Sequence, residues 1–444
     1  MFSPRDLAAT LAQLMPAQAA ARYCVAFSGG ADSTALLHAL AQLRGEALRV
    51  RALHVNHHLQ PNADQWATHA ASVAARLDVP LQVLDVRIAA RKGESPEAAA
   101  RVRRYDLIAD ALQPDELLLT AHHRDDQLET FLLQLIRGAG VAGLAAMPAK
   151  ARFGRSWHLR PLLDVTRAAL VDYVRRTGLE WIEDTSNADT RFDRNFLRVQ
   201  VLPALRERWP GIAANVARSA AHMAEARELL DEIASSDLAD SRAGTTLQCA
   251  ALRALDSAHQ RNALRYWLRE LGFTLPSAAR LEEIAVGVLH ARPDASPVVR
   301  WPAAEVRRYR DRLYALAPLP PAPRNGITWD WKQNPRLELA PGLGLLKLGR
   351  SGGGLRVREL PCPLRIEWRS PGAKLRPQPD RPARTLRYLF QESGVVPWMR
   401  SRVPILVSGQ RLIAVAGLGV DVEFHPAGSQ TDLRLQWSGH PQMF

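Results

Sequence analysis

Ser28-Gly29-Gly30-Ala31-Asp32-Ser33 is the stretch whose residue types and spacing most clearly suit chemistry. An apolar run, Tyr23–Phe27, precedes it and a helix-like run, Thr34–Leu43, follows. Strand, glycine turn and helix in that order gather backbone N–H groups and a helix N-terminus around one small anion. Two glycines let the main chain approach a phosphate with no side chain between. Ser28, Ser33 and Thr34 add hydroxyl groups at the mouth, so the loop is expected to bind a nucleotide's phosphates. Asp32 would repel phosphate unless it acts through a metal ion or caps the helix. No Gly-x-x-x-x-Gly-Lys-Ser/Thr and no Gly-x-Gly-x-x-Gly occurs here, which disfavours the two commoner phosphate loops.

A second group, Thr120-Ala121-His122-His123-Arg124-Asp125-Asp126-Gln127-Leu128-Glu129-Thr130, follows the apolar run Glu116–Thr120. His122 and His123 then lie near a strand end, and Asp125 and Asp126 in the first turn of the next helix. Carboxylates suit that position electrostatically and need no further role there. Asp126 and Thr130 share a helix face, as do Asp125 and Glu129. Two histidines, three acids and an amide so close together also fit two chemical uses. One is Mg²⁺ held beside a triphosphate, with Asp32 and Asp125 as ligands; the other is a carboxylate gripping an ammonium group. Adjacent histidines without a nearby cysteine do not make a zinc helix.

Three further motifs sit beside these. Leu53-His54-Val55-Asn56-His57-His58-Leu59 ends the second strand, where backbone groups and His54 can meet an adenine edge. Arg137-Gly138-Ala139-Gly140 is either a plain helix end or a turn presenting Arg137 to phosphate. Arg191-Phe192-Asp193-Arg194-Asn195-Phe196-Leu197-Arg198 mixes arginines with aromatics, which suits RNA through phosphate contacts and base stacking. The same segment also reads as a capped, solvated helix start.

These groups need a scaffold. Strands at Tyr23–Phe27, Leu48–Val55, Leu81–Val86, Glu116–Thr120 and Trp157–Leu159 alternate with helices at Thr34–Leu43, Gln65–Leu77, Pro96–Leu112 and Gln127–Ile136. That alternation predicts an α/β fold with a parallel sheet covered on both faces, ligands lying beyond the strands' carboxyl ends. A helix is expected over Asn195–Trp209, mostly helical chain over 211–290, and short strands over 296–317. In Val306–Tyr314, Arg308, Arg310 and Arg312 fall on one face at strand spacing. Ala317–Arg324 is a proline-rich linker, and Gly352-Gly353-Gly354 marks a second break. The expected division is 1–210, 211–350 and 351–444.

With 444 residues the chain is long enough for two or three domains, and 47% hydrophobic residues suffice for their cores. A net charge of +13 favours a polyanionic partner, nucleic acid foremost. Three well-separated cysteines suggest neither a metal site nor disulfides, so a reducing cytoplasm fits. No apolar run reaches eighteen residues, and the N-terminus reads as a helix, so no membrane association is expected.

The hexapeptide resembles the loop of the ATP pyrophosphatase (PP-loop) superfamily, whose members cut ATP between its α and β phosphates and form adenylated intermediates. The order Ser-Gly-Gly-x-Asp-Ser, His-Val-Asn-His, Ala100-Arg101-Val102-Arg103-Arg104-Tyr105, His-His-x-Asp-Asp-Gln-x-Glu-Thr, Arg-Gly-x-Gly-x-x-Gly-Leu and Asp-Arg-Asn-x-x-Arg is more specific. It resembles the tRNA(Ile)-lysidine synthase family over residues 20–200. Thr385–Glu392 and Val396–Arg400 resemble that family's C-terminal domain, and 211–350 match by layout. One departure is His58, where the family usually carries glycine.

The resemblance implies a Rossmann-like PP-loop ATPase domain, a mainly helical middle domain and a small α+β C-terminal domain. It implies that ATP, with Mg²⁺, adenylates the wobble cytidine of tRNA(Ile) bearing a CAU anticodon, and that free L-lysine then displaces AMP to give lysidine. Asp126 becomes the candidate partner of lysine or metal, with His122 close by. Arg101 and Arg104 become candidates for the lysine carboxylate or a phosphate. Arg137, Arg194, Asn195 and Arg198 are expected on the tRNA, as are Arg384, Arg387 and Arg400 near its acceptor stem. A tRNA thiolase is disfavoured because Cys24 stands alone in the first domain. A small-molecule synthetase is disfavoured by the basic C-terminal block, and an inactive RNA-binding protein by the intact loop. The sequence leaves the oligomeric state open.

Overall fold

Ser3 caps the first helix, α1 (Pro4–Leu14), by accepting from the Asp6 N–H, and Pro4 supplies a backbone angle already suited to the first turn. After it, apolar strands and amphipathic helices alternate: β1 (Ala21–Ala26), α2 (Ala31–Gln42), β2 (Leu48–Asn56), α3 (Ala63–Arg76), β3 (Leu81–Asp85), α4 (Pro96–Ala111), β4 (Glu116–Leu119) and α5 (Arg124–Ile136). Then come α6 (Val141–Leu144), β5 (Lys150–Phe153), β6 (Ser156–Leu159) and α7 (Arg167–Thr177). The computed structural model describes the chain except residues 16–20, 46–47, 59–61, 87–95, 184–188, 293–294, 357–359, 361, 369–371, 410 and 426–432. It divides into two units, Met1–Leu229 and Leu230–Phe444.

The first unit is built on one sheet in the order β3-β2-β1-β4-β6-β5. β1 runs parallel to β2 and β4, and β4 parallel to β6. Alternate residues of β1 and β4 enter opposite cores, with Val25 and Leu119 on one face and Cys24 and Leu118 on the other. This two-sided burial is the reason these strands read as unbroken apolar runs. β5 was not expected: Lys150–Phe153 has too few apolar residues to signal a strand, yet it pairs antiparallel with β6. Trp157 of β6 lies under the Arg152 guanidinium, 3.9 Å from the ring centre.

Two helices start three residues earlier than expected. α2 begins at Ala31, because Gly30 is extended and acts as its cap, and α5 begins at Arg124 behind His123. Asp32, Asp125 and Asp126 therefore all sit in first turns. The helix expected over Asn195–Trp209 is α8 (Asp193–Phe196), a π-helical turn Leu197–Val201 and α9 (Leu202–Arg208) in succession. α10 (Ile212–Leu238) follows. No helix among the described residues is long and apolar enough to cross a membrane.

The second unit opens with β7 (Arg242–Ala243), β8 (Thr246–Gln248), α11 (Cys249–Arg253), α12 (Ser257–Glu270) and α13 (Ala278–Glu282). β9 (Val298–Trp301), β10 (Ala304–Tyr309) and β11 (Arg312–Leu316) complete an antiparallel sheet in the order β7-β8-β11-β10-β9. Here the arginine stripe expected over Val306–Tyr314 is corrected. β10 and β11 form a hairpin, and Arg310 lies in its turn at φ +53°. Arg308 is buried, with Nη1 donating to the Leu289 carbonyl at 3.2 Å.

The remaining strands are β12 (Ile327–Trp329), β13 (Arg336–Glu338), β14 (Leu345–Leu355), β15 (Leu364–Glu367), β16 (Lys374–Leu375) and β17 (Arg384–Thr385). After α14 (Leu386–Glu392) come β18 (Ile405–Ser408), β19 (Arg411–Val415), β20 (Gly419–Val420) and β21 (Leu433–Ser438). They form the sheets β12-β15-β18-β19-β20 and β13-β14-β21. The break expected at Gly352–Gly354 is instead a bulge inside β14, which pairs with β21 on both sides of it. Gly354 is needed there: a Cβ would come within 2.6 Å of the Leu433 carbonyl oxygen.

Candidate active site

The loop after β1 turns through Gly29 at φ +83°, a conformation open to glycine at little cost. Its carbonyl accepts from the Ile182 N–H at 2.9 Å, and a Cβ at Gly29 would meet Ile182 Cδ1 at 3.2 Å. Ser33 Oγ donates to the Gly30 carbonyl and lies 3.0 Å from Ser28 Oγ, which braces the turn. No side chain caps α2, so its first N–H groups face the loop mouth and are open to an anion. Gly29→Ala is expected to lower ATP affinity about tenfold, from strain of order 1–3 kcal/mol plus the Ile182 contact. Titration calorimetry checks this against Gly138→Ala, which shares a positive φ but meets nothing within 4 Å. That control should lose stability and keep its ATP affinity.

Across from the loop stands the start of α5. His123 and Asp126 form a reciprocal cap: His123 Nδ1 accepts from the Asp126 N–H, and Asp126 Oδ2 accepts from the His123 N–H at 3.0 Å. His123 Nε2 is 3.5 Å from Asp32 Oδ2 and 3.4 Å from Asp126 Oδ2. Burial lowers the basicity of this ring, but the Asp32 contact and three surrounding carboxylates outweigh it and leave the pKa raised. The other Asp32 oxygen, Oδ1, is buried with no partner among the described residues. His123 is thus the central side chain that the sequence reading passed over in favour of His122. Its signal was the cap position, three residues before Asp126.

Behind this trio lies Glu129, buried and bound by two guanidinium groups. Arg194 Nε donates to Oε2 and Arg198 Nε to Oε1, each at 2.7 Å. Their Nη2 groups lie 3.3 and 3.7 Å from Asp126 Oδ1. Arg194 and Arg198, expected on RNA, therefore face inward and are shared between Asp126 and Glu129. Asn195 also turns to the protein, its Nδ2 donating to the Asp189 carbonyl at 3.0 Å. Asp125, whose Oδ2 lies 3.7 Å from His123 Nδ1, accepts from the Arg167 N–H at 2.8 Å and from Arg206.

His122 lies within a hydrogen bond of Thr120, and Thr120 within one of His158. At the end of β2, His54 Nδ1 meets the Phe27 carbonyl at 2.9 Å and holds the chain just before the loop. Burial pushes its pKa down. His57 is pushed to about 4, first by burial and then by Arg104, whose Nε donates to His57 Nε2 at 2.9 Å. His58 adopts φ +51°, a left-handed backbone that glycine takes at less cost. Its ring bridges Asp64 at 3.2 Å and Asp85 at 3.0 Å, which offsets that strain. The side chain of Arg101 and residues 184–188 lie outside the described residues. Cys24 is buried and its thiol is pushed up to about 12, mainly by burial, so it suits no sulfur relay.

Of the remaining candidates, Arg137 is exposed and 3.6 Å from Asp193. Arg384 lies over the ring of exposed Tyr388, at 4.5 Å, and Arg387 is exposed. Arg400 is engaged inside the unit: Nε donates to the Val395 carbonyl and Nη2 to Tyr309 Oη at 3.0 Å. Trp368 and Trp398 are core residues.

A glycine loop at the carboxyl end of a central parallel strand, an open helix start and a carboxylate cluster at the neighbouring strand end define a PP-loop nucleotide-using enzyme. Residues 4–205 match the family profile of the PP-loop domain. Residues 247–314 match the TilS substrate binding domain, and 364–437 the TilS substrate C-terminal domain. The chain is 44% identical to the tRNA(Ile)-lysidine synthase of Alkalilimnicola ehrlichii, over 95% of each chain. It is 41% identical to that of Coxiella burnetii, over 92% of this chain and 91% of the other. With that of Escherichia coli O157:H7 the identity is 43%, over 88% and 91%. The chain belongs to the tRNA(Ile)-lysidine synthase family.

Proposed function

We propose that this chain makes lysidine on tRNA(Ile), using ATP, at the carboxyl ends of β1 and β4. The C2 oxygen of the wobble cytidine in a CAU anticodon attacks the α-phosphate of ATP, and pyrophosphate leaves. The ε-amine of free lysine, after losing a proton, attacks C2; the C–O bond breaks and AMP leaves. The product reads AUA in place of AUG. Adenylation is needed because a carbonyl oxygen leaves poorly until it becomes a phosphate ester.

The meeting of Asp32, His123 and Asp126 at the mouth of an open phosphate loop carries this reading. Loop and helix N–H groups stabilise charge on the departing pyrophosphate. Mg²⁺ fits at Asp32, since Oδ1 is buried without a partner among the described residues and Mg²⁺ binds through one or two carboxylates plus phosphates. There it would supply positive charge to the phosphates. Asp125 has both oxygens engaged, so Asp32 alone is carried forward as a ligand. Asp126, whose Oδ2 lies 3.4 Å from His123 and whose Oδ1 lies 3.3 Å from Arg194, is the proposed partner of the lysine ammonium. Arg104 and Arg101 remain the proposed partners of the lysine carboxylate or of a phosphate.

Exposed Phe192, Phe196 and Val199 recur at helical spacing beside Arg137 and support contact with unstacked bases. In the second unit, Arg384 and Arg387 are the proposed phosphate contacts. We keep three functional regions, the first over 1–210, and move the junction between the other two from 350/351 to Ala317–Arg324, because β12 pairs with β15 and β14 with β21. Arg387→Ala is expected to weaken tRNA binding and to lower the slope of log affinity against log salt by about one. Filter binding across a salt series checks it. The reaction itself is tested with ATP labelled at both the α and γ phosphates: labelled AMP and labelled pyrophosphate in equal amounts fit the proposal, and ADP overturns it.

A further inference from the structure

The β10–β11 hairpin is covered on both faces, by the helices of the substrate-binding domain (247–314) and by the C-terminal domain (364–437). We propose that this shared hairpin locks the two domains into one rigid arm, so that contacts on the C-terminal domain add to the affinity for a tRNA held elsewhere on the protein. Arg307, Tyr314 and Trp398 are the positioning residues of the joint. The inference rests on the reading of Arg384 and Arg387 as tRNA contacts.

Strand geometry makes the joint. Successive side chains of a strand point to opposite faces. Val306 of β10 and Leu313 of β11 enter the apolar core built on α12 and α13, and buried Arg308 reaches the Leu289 carbonyl of that core. Tyr314 enters instead the core of Leu375, Phe390, Trp398 and Met399, with Tyr309 and Leu316 packed beside it. Arg307 and Tyr314 are direct partners across the hairpin, and both reach Trp398. The Arg307 guanidinium lies 5.2 Å from the indole centre, and the Tyr314 ring stands nearly perpendicular to the indole, its centre also 5.2 Å away. Buried Glu305 orients Arg307 by accepting from its Nε at 2.8 Å. A cation over a buried ring adds to the attraction between the two faces.

Polar ties surround this apolar centre. Arg310 Nη2 donates to the Gln391 carbonyl at 2.7 Å, and Arg400 Nη2 to Tyr309 Oη at 3.0 Å. Arg402 Nε donates to the Pro320 carbonyl at 3.2 Å and fastens the connecting chain. Domains joined by small polar interfaces move relative to each other; an apolar centre ringed by hydrogen bonds suppresses that motion. A tRNA that touches the protein at two places meets the second contact at an effective concentration set by how firmly the spacing is held. A loose joint would spread Arg384 and Arg387 over many positions and lower that concentration. The joint therefore acts on tRNA binding and leaves the chemistry alone.

The full-length protein carries the test. Tyr314→Ala removes the ring from the joint and leaves the opposite face of β11 in place. It should raise KM for tRNA(Ile) about tenfold, with kcat and KM for ATP unchanged. Binding of a minihelix that copies only the acceptor stem, measured at low salt, should stay at the wild-type level. Tyr309→Phe combined with Arg310→Gly removes two of the ties, and glycine also suits the φ of +53° at residue 310. That double variant should raise KM for tRNA about threefold. A wild-type KM for tRNA in folded Tyr314→Ala overturns the proposal. So does an equal loss of minihelix binding, which would mean that the C-terminal domain itself is damaged. If Tyr314→Ala does not fold, the double variant decides by the same two measurements. A wild-type protein that does not bind the minihelix refutes Arg384 and Arg387 as contacts, while KM for tRNA still decides whether the joint is used.

Discussion

Asp126→Ala is expected to slow lysine transfer by at least about a hundredfold, while adenylation of the tRNA continues. Asp126 is nearly buried, with Oδ1 toward Arg194 and Arg198 and Oδ2 on the His123 N–H. Its carboxylate, beside His123 and the two arginines, is the proposed partner of the lysine ammonium. Removing Asp126 removes the carboxylate that would hold that ammonium group. Alanine also deletes the cap on α5, worth about 1 kcal/mol. Asp126→Asn separates the two effects, since its amide oxygen still accepts from His123. The expected order is therefore a slow transfer in both variants and a stability loss chiefly in alanine. Rapid-quench assays with α-labelled ATP resolve AMP bound to tRNA from AMP released on adding lysine. Transfer at the wild-type rate in Asp126→Asn would remove Asp126 from the lysine site.

Glu129→Ala is expected to lower the stability of the first unit by about 3 kcal/mol and to abolish most activity. Glu129 is fully buried and its two oxygens hold Arg194 and Arg198 at 2.7 Å. Without it, two guanidinium groups face each other across a vacated carboxylate. Breaking a buried pair costs about 3–5 kcal/mol, and the arginine side chains, 28% and 29% exposed, put this case at the lower end. Urea unfolding measures the loss. A midpoint equal to wild type would mean that the arginines find other partners.

The phosphate loop was legible because an apolar strand, two glycines and a helix fix both its position and its openness. The parallel sheet was legible for a related reason: strands buried on both faces carry long apolar runs. β5 was not, since an edge strand of four residues, two of them basic, has no such pattern. Charge misled at several places. Arg194, Arg198, Arg308 and Arg400 read as surface cations, yet each binds carboxylates or carbonyls of its own unit. A basic composition cannot distinguish an arginine that meets RNA from one that neutralises a buried acid. Glycine misled at Gly352–Gly354, where the same flexibility serves a bulge rather than a break. In the site, choosing between His122 and His123 required the helix start at Arg124, which sequence spacing put three residues later.

The most direct test supplies the protein with ATP, labelled lysine and tRNA(Ile) bearing a CAU anticodon. Elongator methionine tRNA, which has the same unmodified anticodon, serves as the comparison. The account predicts ATP-dependent label in the isoleucine tRNA alone, at the wobble cytidine. Label in neither tRNA, or equal label in both, would contradict it.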